Sequence, residues 1–89
     1  MIKTSITISN KLGLHARASA KLTKLAGSFK SDVFMSRNDR RVNAKSIMGV
    51  MMLAAGLGAT VEIEAEGEDE ELAMDTLEKL FADKFGEGS

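Results

Sequence analysis

Residues 60–66 read TVEIEAE, a stretch in which Val61, Ile63 and Ala65 alternate with three glutamates. Apolar and charged residues that alternate with a period of two predict a strand that buries one face and exposes the other. Gly67 interrupts the pattern and ends the predicted strand. A sheet built around such a strand has one polar face in water, so helices are expected to cover only the opposite face.

Further strands are predicted from the part of the chain that precedes this segment. Residues 2–8 alternate isoleucine or threonine with polar side chains, which is typical of a half-buried strand. Residues 32–37 and 40–43 are predicted to form a hairpin, with Asn38-Asp39 as its turn.

Apolar residues at helical spacing predict helices over residues 16–27, 47–53 and 70–84. Gly27 is expected to end the first helix, and Ser46 and Asp69 are expected to cap the N-termini of the second and third.

The order of the elements, βαββαβα, predicts an α/β (α+β) open-faced sandwich, in which a four-stranded antiparallel sheet carries three helices on one face. We expect a single domain over residues 1–89, because this length supports one modest core. The apolar stripe of the last helix extends to Phe85, and residues 86–89 are expected to form a frayed tail.

The composition, 44% hydrophobic and 28% charged, is that of an ordinary folded protein. The chain has no cysteine, which excludes disulfides and thiolate metal sites and fits a cytoplasmic location. The first ten residues do not resemble a signal peptide. The longest uncharged stretch, residues 46–61, is shorter than the roughly 20 residues of a membrane-spanning helix, so no membrane insertion is expected.

Charge is divided unequally between the two halves of the chain. Residues 1–45 contain ten basic and two acidic side chains, a net charge of +8, whereas residues 46–89 contain two and eleven, a net charge of −9. Two solvated faces of opposite sign would explain this division, but a basic surface would also attract phosphate or acidic partners. Aromatic residues are 4% of the chain and all are phenylalanine, so nucleic acid is not an expected partner.

His15 is the only histidine, and it directly precedes the first predicted helix. At this N-cap position, the backbone N–H groups of Ala16, Arg17 and Ala18 lack intrahelical partners and form an anion site. The Arg17 guanidinium has donors that match phosphate oxygens, and a neutral imidazole is nucleophilic. These residues suit a histidine that accepts a phosphoryl group, although a surface histidine or a simple helix cap is the more common origin of such a pattern.

Other chemistries have weaker support. A metal site would need a second histidine or a cysteine, and the chain has neither. The sequence contains no G-x-S-x-G elbow of a hydrolase and no G-x-x-x-x-G-K loop for ATP. We therefore expect no metal and no cofactor.

Two motifs resemble those of HPr, the histidine-containing phosphocarrier family of the bacterial sugar phosphotransferase system. They are GLHAR at residues 13–17 and NAKSI at residues 43–47, and the AEGED sequence at residues 65–69 adds to the likeness. The resemblance covers essentially the whole chain. One position departs from it, because the family often has proline after the arginine and this chain has Ala18 and no proline anywhere.

The resemblance implies a phosphoryl relay. Phosphoenolpyruvate phosphorylates Enzyme I, Enzyme I phosphorylates His15 on Nδ1, and the group passes to a IIA protein or domain of a sugar permease or regulator. The protein would then be a carrier and a substrate of transferases, not an enzyme, with Arg17 as the charge partner of His15. We expect it to act as a monomer.

Ser46 has a sufficient structural role as an N-cap, typically contributing about 1 kcal/mol. The resemblance implies a second role, in which a dedicated ATP-dependent kinase/phosphorylase modifies this serine. A phosphate there would add a charge of about −1.5 to −2, which would repel acidic partners.

The helix after Ser46 carries more apolar residues than one side of two turns can bury. These residues could all belong to the core, or some could form an adaptable docking surface, for which methionine is well suited. The resemblance implies docking by three of them, Ile47, Met48 and Met51, with a basic rim of Arg17, Lys24 and Lys45.

Three alternatives stay open. Within the family, the chain could be a paralogue of a nitrogen-related or purely regulatory relay. Outside it, the element order also suits an RNA-binding or a small-ligand regulatory module. The RNA-binding alternative requires exposed aromatic residues on the central strands, where only Phe34 is present.

Overall fold

A computed structural model describes residues 1–87 of the chain. Its elements follow the predicted order, with a short 3₁₀ turn added at the end: β1 Ile2–Thr7, α1 Ala16–Gly27, β2 Asp32–Arg37, β3 Arg40–Asn43, α2 Ile47–Met52, β4 Thr60–Glu66, α3 Glu70–Ala82 and the 3₁₀ turn Lys84–Gly86. The predicted bounds of α1, β2, β3 and β4 are confirmed. The helices α2 and α3 each end earlier than predicted.

The strands form one antiparallel sheet in the order β1-β4-β2-β3. The TVEIEAE segment is a central strand, and its Ile63 pairs with Thr4 of β1 and Met35 of β2. Val61, Ile63 and Ala65 are buried, whereas the three glutamates face the polar side. This arrangement confirms the predicted open-faced sandwich.

Opposite charges meet across the polar face of the sheet. Lys3 Nζ lies 3.5 Å from Glu62 Oε2, and Arg41 Nε donates to Glu64 Oε2 at 2.9 Å. The guanidinium of Arg41 also stacks on the ring of Phe34, 3.8 Å from its centroid. Because Arg41 covers Phe34, the described strands offer no free aromatic platform for bases, which weighs against the RNA-binding alternative.

The three helices cover the other face and close one core. The α1 stripe buries Ala18, Leu22 and Ala26 as predicted, and α3 packs on β4 and β1 through Ala73 and Leu77. Burial of each large aliphatic side chain contributes about 1.5–3 kcal/mol. Because the buried stripe of α1 belongs to this core, the core holds the N-terminal end of α1 in place.

Two chain reversals lie at the residues predicted for them. Asn38 and Asp39 both take left-handed φ values, 51° and 65°, as a two-residue type I′ hairpin turn requires. The helix α1 does end at Gly27, but the following Ser28 keeps a right-handed conformation with φ −78° and ψ −12°. The predicted end of α1 at Gly27 is therefore confirmed, and a tightened last turn ends the helix there.

Asp69 precedes α3 as predicted, but its side chain does not cap that helix. The carboxylate accepts hydrogen bonds from the backbone N–H groups of Lys30 and Ser31, both at 2.9 Å, and from the Ser31 hydroxyl. The bond from the Ser31 hydroxyl, followed by that from the Lys30 N–H, lowers the pKa of Asp69 from 3.8 to about 2. Asp69 therefore ties the loop after α1 to the start of α3.

The frayed tail expected over residues 86–89 needs correction for its first two residues. Gly86 belongs to the 3₁₀ turn, and Glu87 is half-buried. Phe85 is 1% exposed and packs edge-on against Phe81, with ring centroids 4.9 Å apart. This aromatic contact anchors the segment after α3, which explains its order. Residues 88 and 89 lie outside the described part of the chain.

Candidate functional site

His15 occupies the N-cap of α1, as predicted. Its backbone is extended, with φ −74° and ψ 178°, and its carbonyl accepts the N–H of Ser19 at 2.9 Å. Its Nδ1 accepts the backbone N–H of Arg17 at 3.3 Å. The imidazole itself therefore satisfies one of the free donors of the first turn, and Nδ1 points toward the positive end of the helix dipole.

A close approach of two backbone segments fixes the loop before His15. Gly13 has a left-handed φ of 63°, and a Cβ there would lie 2.5 Å from the Ala55 carbonyl oxygen and 2.6 Å from Gly56 Cα. The N–H of Leu14 donates to that same Ala55 oxygen at 2.9 Å. Only glycine fits this position, so the GLHAR motif has a steric reason as well as a chemical one.

An open surface pocket surrounds the imidazole, and its lining residues are Lys11, Leu12, His15, Ala16, Arg17, Gly86 and Glu87. Arg17 is exposed, and its guanidinium forms no ion pair with any residue of the described chain, 1–87. Ala18, which stands where the family often has proline, is fully buried. The structure thus brings His15 and Arg17 to one basic, accessible pocket at the start of α1.

Glu87 is a member of this pocket that the sequence analysis missed. Its Oε2 lies 2.7 Å from His15 Nε2, and its Oε1 accepts from Asn10 Nδ2 at 3.2 Å. The hydrogen bond to His15, and to a smaller extent that to Asn10, holds the pKa of Glu87 below its usual value. The sequence did contain one signal for an ordered segment after α3. Phe85 continues the apolar stripe of that helix, and its burial would hold the neighbouring residues in place.

Ser46 caps α2, as predicted. Its Oγ accepts the N–H of Gly49 at 3.1 Å, and the residue is exposed. The chain just before α2 contacts the end of α1, because Lys45 Nζ donates to the Phe29 carbonyl at 3.0 Å. The chain after α2 contacts the start of α1 through Ala55. The two helices therefore pack antiparallel, and Ser46 and His15 lie at opposite ends of the pair.

The apolar residues of α2 divide between the core and the surface. Val50 and Leu53 are buried, whereas four others are exposed: Ile47 by 40%, Met48 by 66%, Met51 by 38% and Met52 by 56%. Leu12 and Leu57 are also exposed, by 66% and 62%. The structure thus exposes all three predicted docking residues of α2, together with further apolar side chains that the sequence analysis left out.

The predicted basic rim is only partly free. Lys24 lies exposed in the last turn of α1. Lys45 is half-buried, and its ammonium is engaged with the Phe29 carbonyl. The charge of Lys45 is thus placed at the C-terminal end of α1, where a cation interacts favourably with the helix dipole.

Two structural features are absent from the described residues. No three His, Cys, Asp or Glu side chains come together in a group that could hold a metal ion. No helix within residues 1–87 is long and apolar enough to cross a membrane.

Comparison with known proteins identifies the family. A family model described as the PTS HPr component phosphorylation site matches residues 2–83. The chain belongs to the HPr family of phosphocarrier proteins. Phosphocarrier protein HPr of Cupriavidus necator is 67% identical over 88 residues, which cover 99% of both chains.

Solved HPr structures share the fold. The crystal structure of HPr-C-His from Thermoanaerobacter tengcongensis is 45% identical, covers 98% of each chain and superposes with a TM-score of 0.95. A crystal structure of the HPr dimer from the same organism covers 98% of this chain and 100% of its own, with 45% identity and a TM-score of 0.79. The first likeness supports the open-faced sandwich independently of the sequence patterns.

Proposed function

We propose that this HPr-family chain accepts a phosphoryl group from phospho-Enzyme I on His15 and passes it to a IIA protein or domain. The observation that carries the proposal is the placement of the single histidine. It caps a helix N-terminus in an open pocket beside an exposed arginine. Donors and positive charge thus surround the position that a phosphoryl group on Nδ1 would take.

The ring contacts support Nδ1 as the reacting nitrogen. A carboxylate only accepts hydrogen bonds, so His15 Nε2 must carry the proton that faces Glu87. Nδ1 then keeps its lone pair, and it accepts the Arg17 N–H through a long bond of 3.3 Å. This lone pair is the nucleophile in the proposed transfer.

Transfer would exchange one hydrogen bond for several. As the N–P bond forms, the Arg17 N–H is released from Nδ1 and becomes available to a phosphoryl oxygen. The N–H groups of Ala16 and Ala18 and the Arg17 guanidinium supply further donors at the same helix end. Alanine at position 18 keeps an N–H that a proline would lack, but the residue is fully buried, so this donor would reach the phosphate only if the first turn shifts.

We also propose that Ser46 regulates the carrier when a kinase/phosphorylase phosphorylates it. Ser46 and His15 lie at opposite ends of the α1–α2 pair, so the phosphate would act on the docking surface rather than on the imidazole. That surface is the exposed side of α2, Ile47, Met48 and Met51, with Arg17, Lys24 and Lys45 around it. Added negative charge there disfavours acidic partners.

We further propose that the protein acts as a cytoplasmic monomer. The proposal rests on the lack of cysteine and on the ion-paired polar face of the sheet. Relatives are not uniformly monomeric, since the crystal structure of HPr from T. tengcongensis is described as a dimer. Sedimentation equilibrium at micromolar concentration distinguishes the two, and a dimer mass would contradict the proposal.

The test of the main proposal is incubation with Enzyme I and labelled phosphoenolpyruvate. The wild-type chain is expected to gain an acid-labile phosphoryl group, and His15→Ala is expected to gain none. Ser46→Ala is the matched control, because it removes the other modifiable cap and should be labelled normally. Undiminished acid-labile label on His15→Ala would refute the assignment.

A further inference from the structure

Glu87 and His15 form a contact between distant parts of the chain. The 2.7 Å bond joins Oε2 to Nε2, and the two side chains are only 14% and 27% exposed. This degree of burial shields the pair in part from competition with water. A hydrogen bond to a charged acceptor in such a place is stronger than one between neutral groups. Glu87 also lies beyond residues 2–83, the part of the chain that the family model matches.

Three contacts hold the segment that carries Glu87. The Phe85 side chain is buried in the core beside Phe81. Lys21 of α1 donates from Nζ to the Phe85 carbonyl at 2.6 Å. Asn10, which is fully buried, donates from Nδ2 both to the Gly13 carbonyl at 2.8 Å and to Glu87 Oε1 at 3.2 Å. The carboxylate is therefore fixed from several sides before it meets the imidazole.

The backbone of this segment is strained. Lys84 and Phe85 have left-handed φ values of 53° and 56°, and neither is a glycine. Such conformations are costly and persist only where surrounding contacts determine them, which is most frequent at functional sites. Here the strained turn reverses the chain after α3 and returns it to the start of α1.

Asn10 connects the two sides of the pocket. If its amide were rotated by half a turn, its oxygen would face the Gly13 carbonyl and the Glu87 carboxylate, both of which are acceptors. The orientation with Nδ2 toward both is therefore the favourable one, even though it leaves Oδ1 without a hydrogen-bond partner among the described residues. Asn10 thus links the Gly13 loop before His15 to the carboxylate behind it.

We propose that Glu87 is a positioning residue for His15, which holds the proton on Nε2 and orients the ring so that Nδ1 presents its lone pair. This inference rests on the proposed phosphoryl transfer. In that step the Nδ1 lone pair forms the N–P bond, and the bond from phosphorus to the donor breaks with its electron pair leaving on the donor. Nε2 keeps its proton, so the ring gains positive charge, which the Glu87 carboxylate balances.

The role resembles that of groups that fix a ring tautomer at metal sites and in hydrolases. In those sites a carboxylate on one imidazole nitrogen sets the basicity and direction of the other. The same principle applies here without a metal, because the reacting electrophile is a phosphoryl group. The function of Glu87 is thus carried out through His15 and requires no contact with the phosphate.

The experiment compares Glu87→Ala and Glu87→Gln with the wild-type chain. The control is Glu78→Gln, which removes one negative charge from the exposed surface of α3. Nitrogen NMR of the ring-labelled, unphosphorylated protein reports which nitrogen of His15 carries the proton. Rapid-quench kinetics with phospho-Enzyme I reports the rate of phosphorylation.

Glu87→Ala is expected to mix the ring tautomers and to lower the phosphorylation rate about tenfold, since one charge-assisted hydrogen bond is lost. Glu87→Gln keeps an acceptor oxygen, so it should retain the tautomer and lose less of the rate. Glu78→Gln should match the wild type in both measurements.

Three outcomes would overturn the positioning role: an unchanged ring spectrum in Glu87→Ala, a phosphorylation rate equal to or above that of the wild type, or an equal loss of rate in Glu78→Gln. Failure of the wild-type chain to take up a phosphoryl group would instead refute the proposed function. The spectrum is recorded without Enzyme I, so the two failures are distinguishable.

Discussion

The starts of α1 and α2 show two ways to cap a helix. In both, a side chain accepts a backbone N–H of the first turn, Arg17 N–H to His15 Nδ1 in one and Gly49 N–H to Ser46 Oγ in the other. The Ser46 cap is local and exposed. The His15 cap is also held by the Gly13 loop before it and by Glu87 from the other end of the chain.

This difference fits the two proposed roles, His15 as the reacting nucleophile and Ser46 as a site that another protein modifies. A nucleophile benefits from fixed orientation, because little rearrangement is then needed at the moment of reaction. A regulatory modification site needs exposure and a neighbouring surface on which the added charge can act. The following substitutions test the surroundings of each helix start separately.

The largest effect is expected from Gly13→Ala. A methyl group there meets the Ala55 oxygen at 2.5 Å, and the left-handed φ of 63° disfavours any side chain. We expect a loss of about 2–4 kcal/mol in the free energy of unfolding in urea, together with slower phosphorylation of a displaced His15.

The matched control is Gly27→Ala at the other end of α1. Nothing lies within 4 Å of the added Cβ, so stability should stay equal or rise by about 0.5–1 kcal/mol. If the two alanine variants unfold at the same urea concentration, the steric explanation of the GLHAR motif is wrong.

Arg17→Ala tests the charge beside the His15 cap. The guanidinium is exposed and unpaired within residues 1–87, so the stability of the protein should hardly change. The rate of phosphorylation by phospho-Enzyme I is expected to fall about 10- to 100-fold, because a donor to the transferred oxygens is lost. Lys24→Ala, on the same helix, should show a smaller effect. Equal rates in Arg17→Ala and the wild type would remove Arg17 from the mechanism.

Ser46→Asp and Ser46→Asn separate the charge of the α2 cap from its hydrogen bond. Both side chains cap helices about as well as serine, so each should unfold within about 0.5 kcal/mol of the wild type, whereas Ser46→Ala should lose about 1 kcal/mol. Only the aspartate variant should bind Enzyme I more weakly, by several-fold in titration calorimetry. Equal affinity of the two variants would show that charge at position 46 has no regulatory effect.

The smallest effect is expected from Asp69→Asn, which changes how stability depends on pH. Asp69 lies at the start of α3 but does not cap that helix. Its pKa is lowered from 3.8 to about 2 in the folded protein, so its contribution to stability is complete above about pH 4 and is lost as the pH falls toward 2. Asp69→Asn should therefore lose stability at neutral pH and show a flatter acid dependence in urea titrations. Asp75→Asn is the control, because Asp75 is exposed on α3 and within residues 1–87 forms an ion pair with Lys79 alone; it should keep the wild-type dependence.

The sequence patterns predicted the elements that depend on local rules. Alternation identified TVEIEAE, and the Asn38-Asp39 pair identified a hairpin whose turn requires two left-handed residues. The N-cap position of His15 followed from the start of the α1 stripe. Each of these predictions needs only neighbouring residues, so a single sequence suffices for them.

The missed features all depend on contacts between distant residues. Asp69 was predicted to cap its own helix, but Lys30 and Ser31 compete for its carboxylate. Glu87 was predicted to lie in a frayed tail. Two left-handed residues after α3 instead return the chain to His15, and the sequence does not signal this turn because neither residue is a glycine. No local pattern encodes which distant donor a side chain will meet.

The shape of the sheet has a consequence for behaviour at high concentration. β3 is an edge strand of only four residues, and it carries Arg40 and Arg41. Short, charged edge strands resist the addition of another chain's strand, which is a common route to aggregation. A carrier that meets successive partners through one surface, as proposed for this chain, would benefit from an edge that repels its own copies.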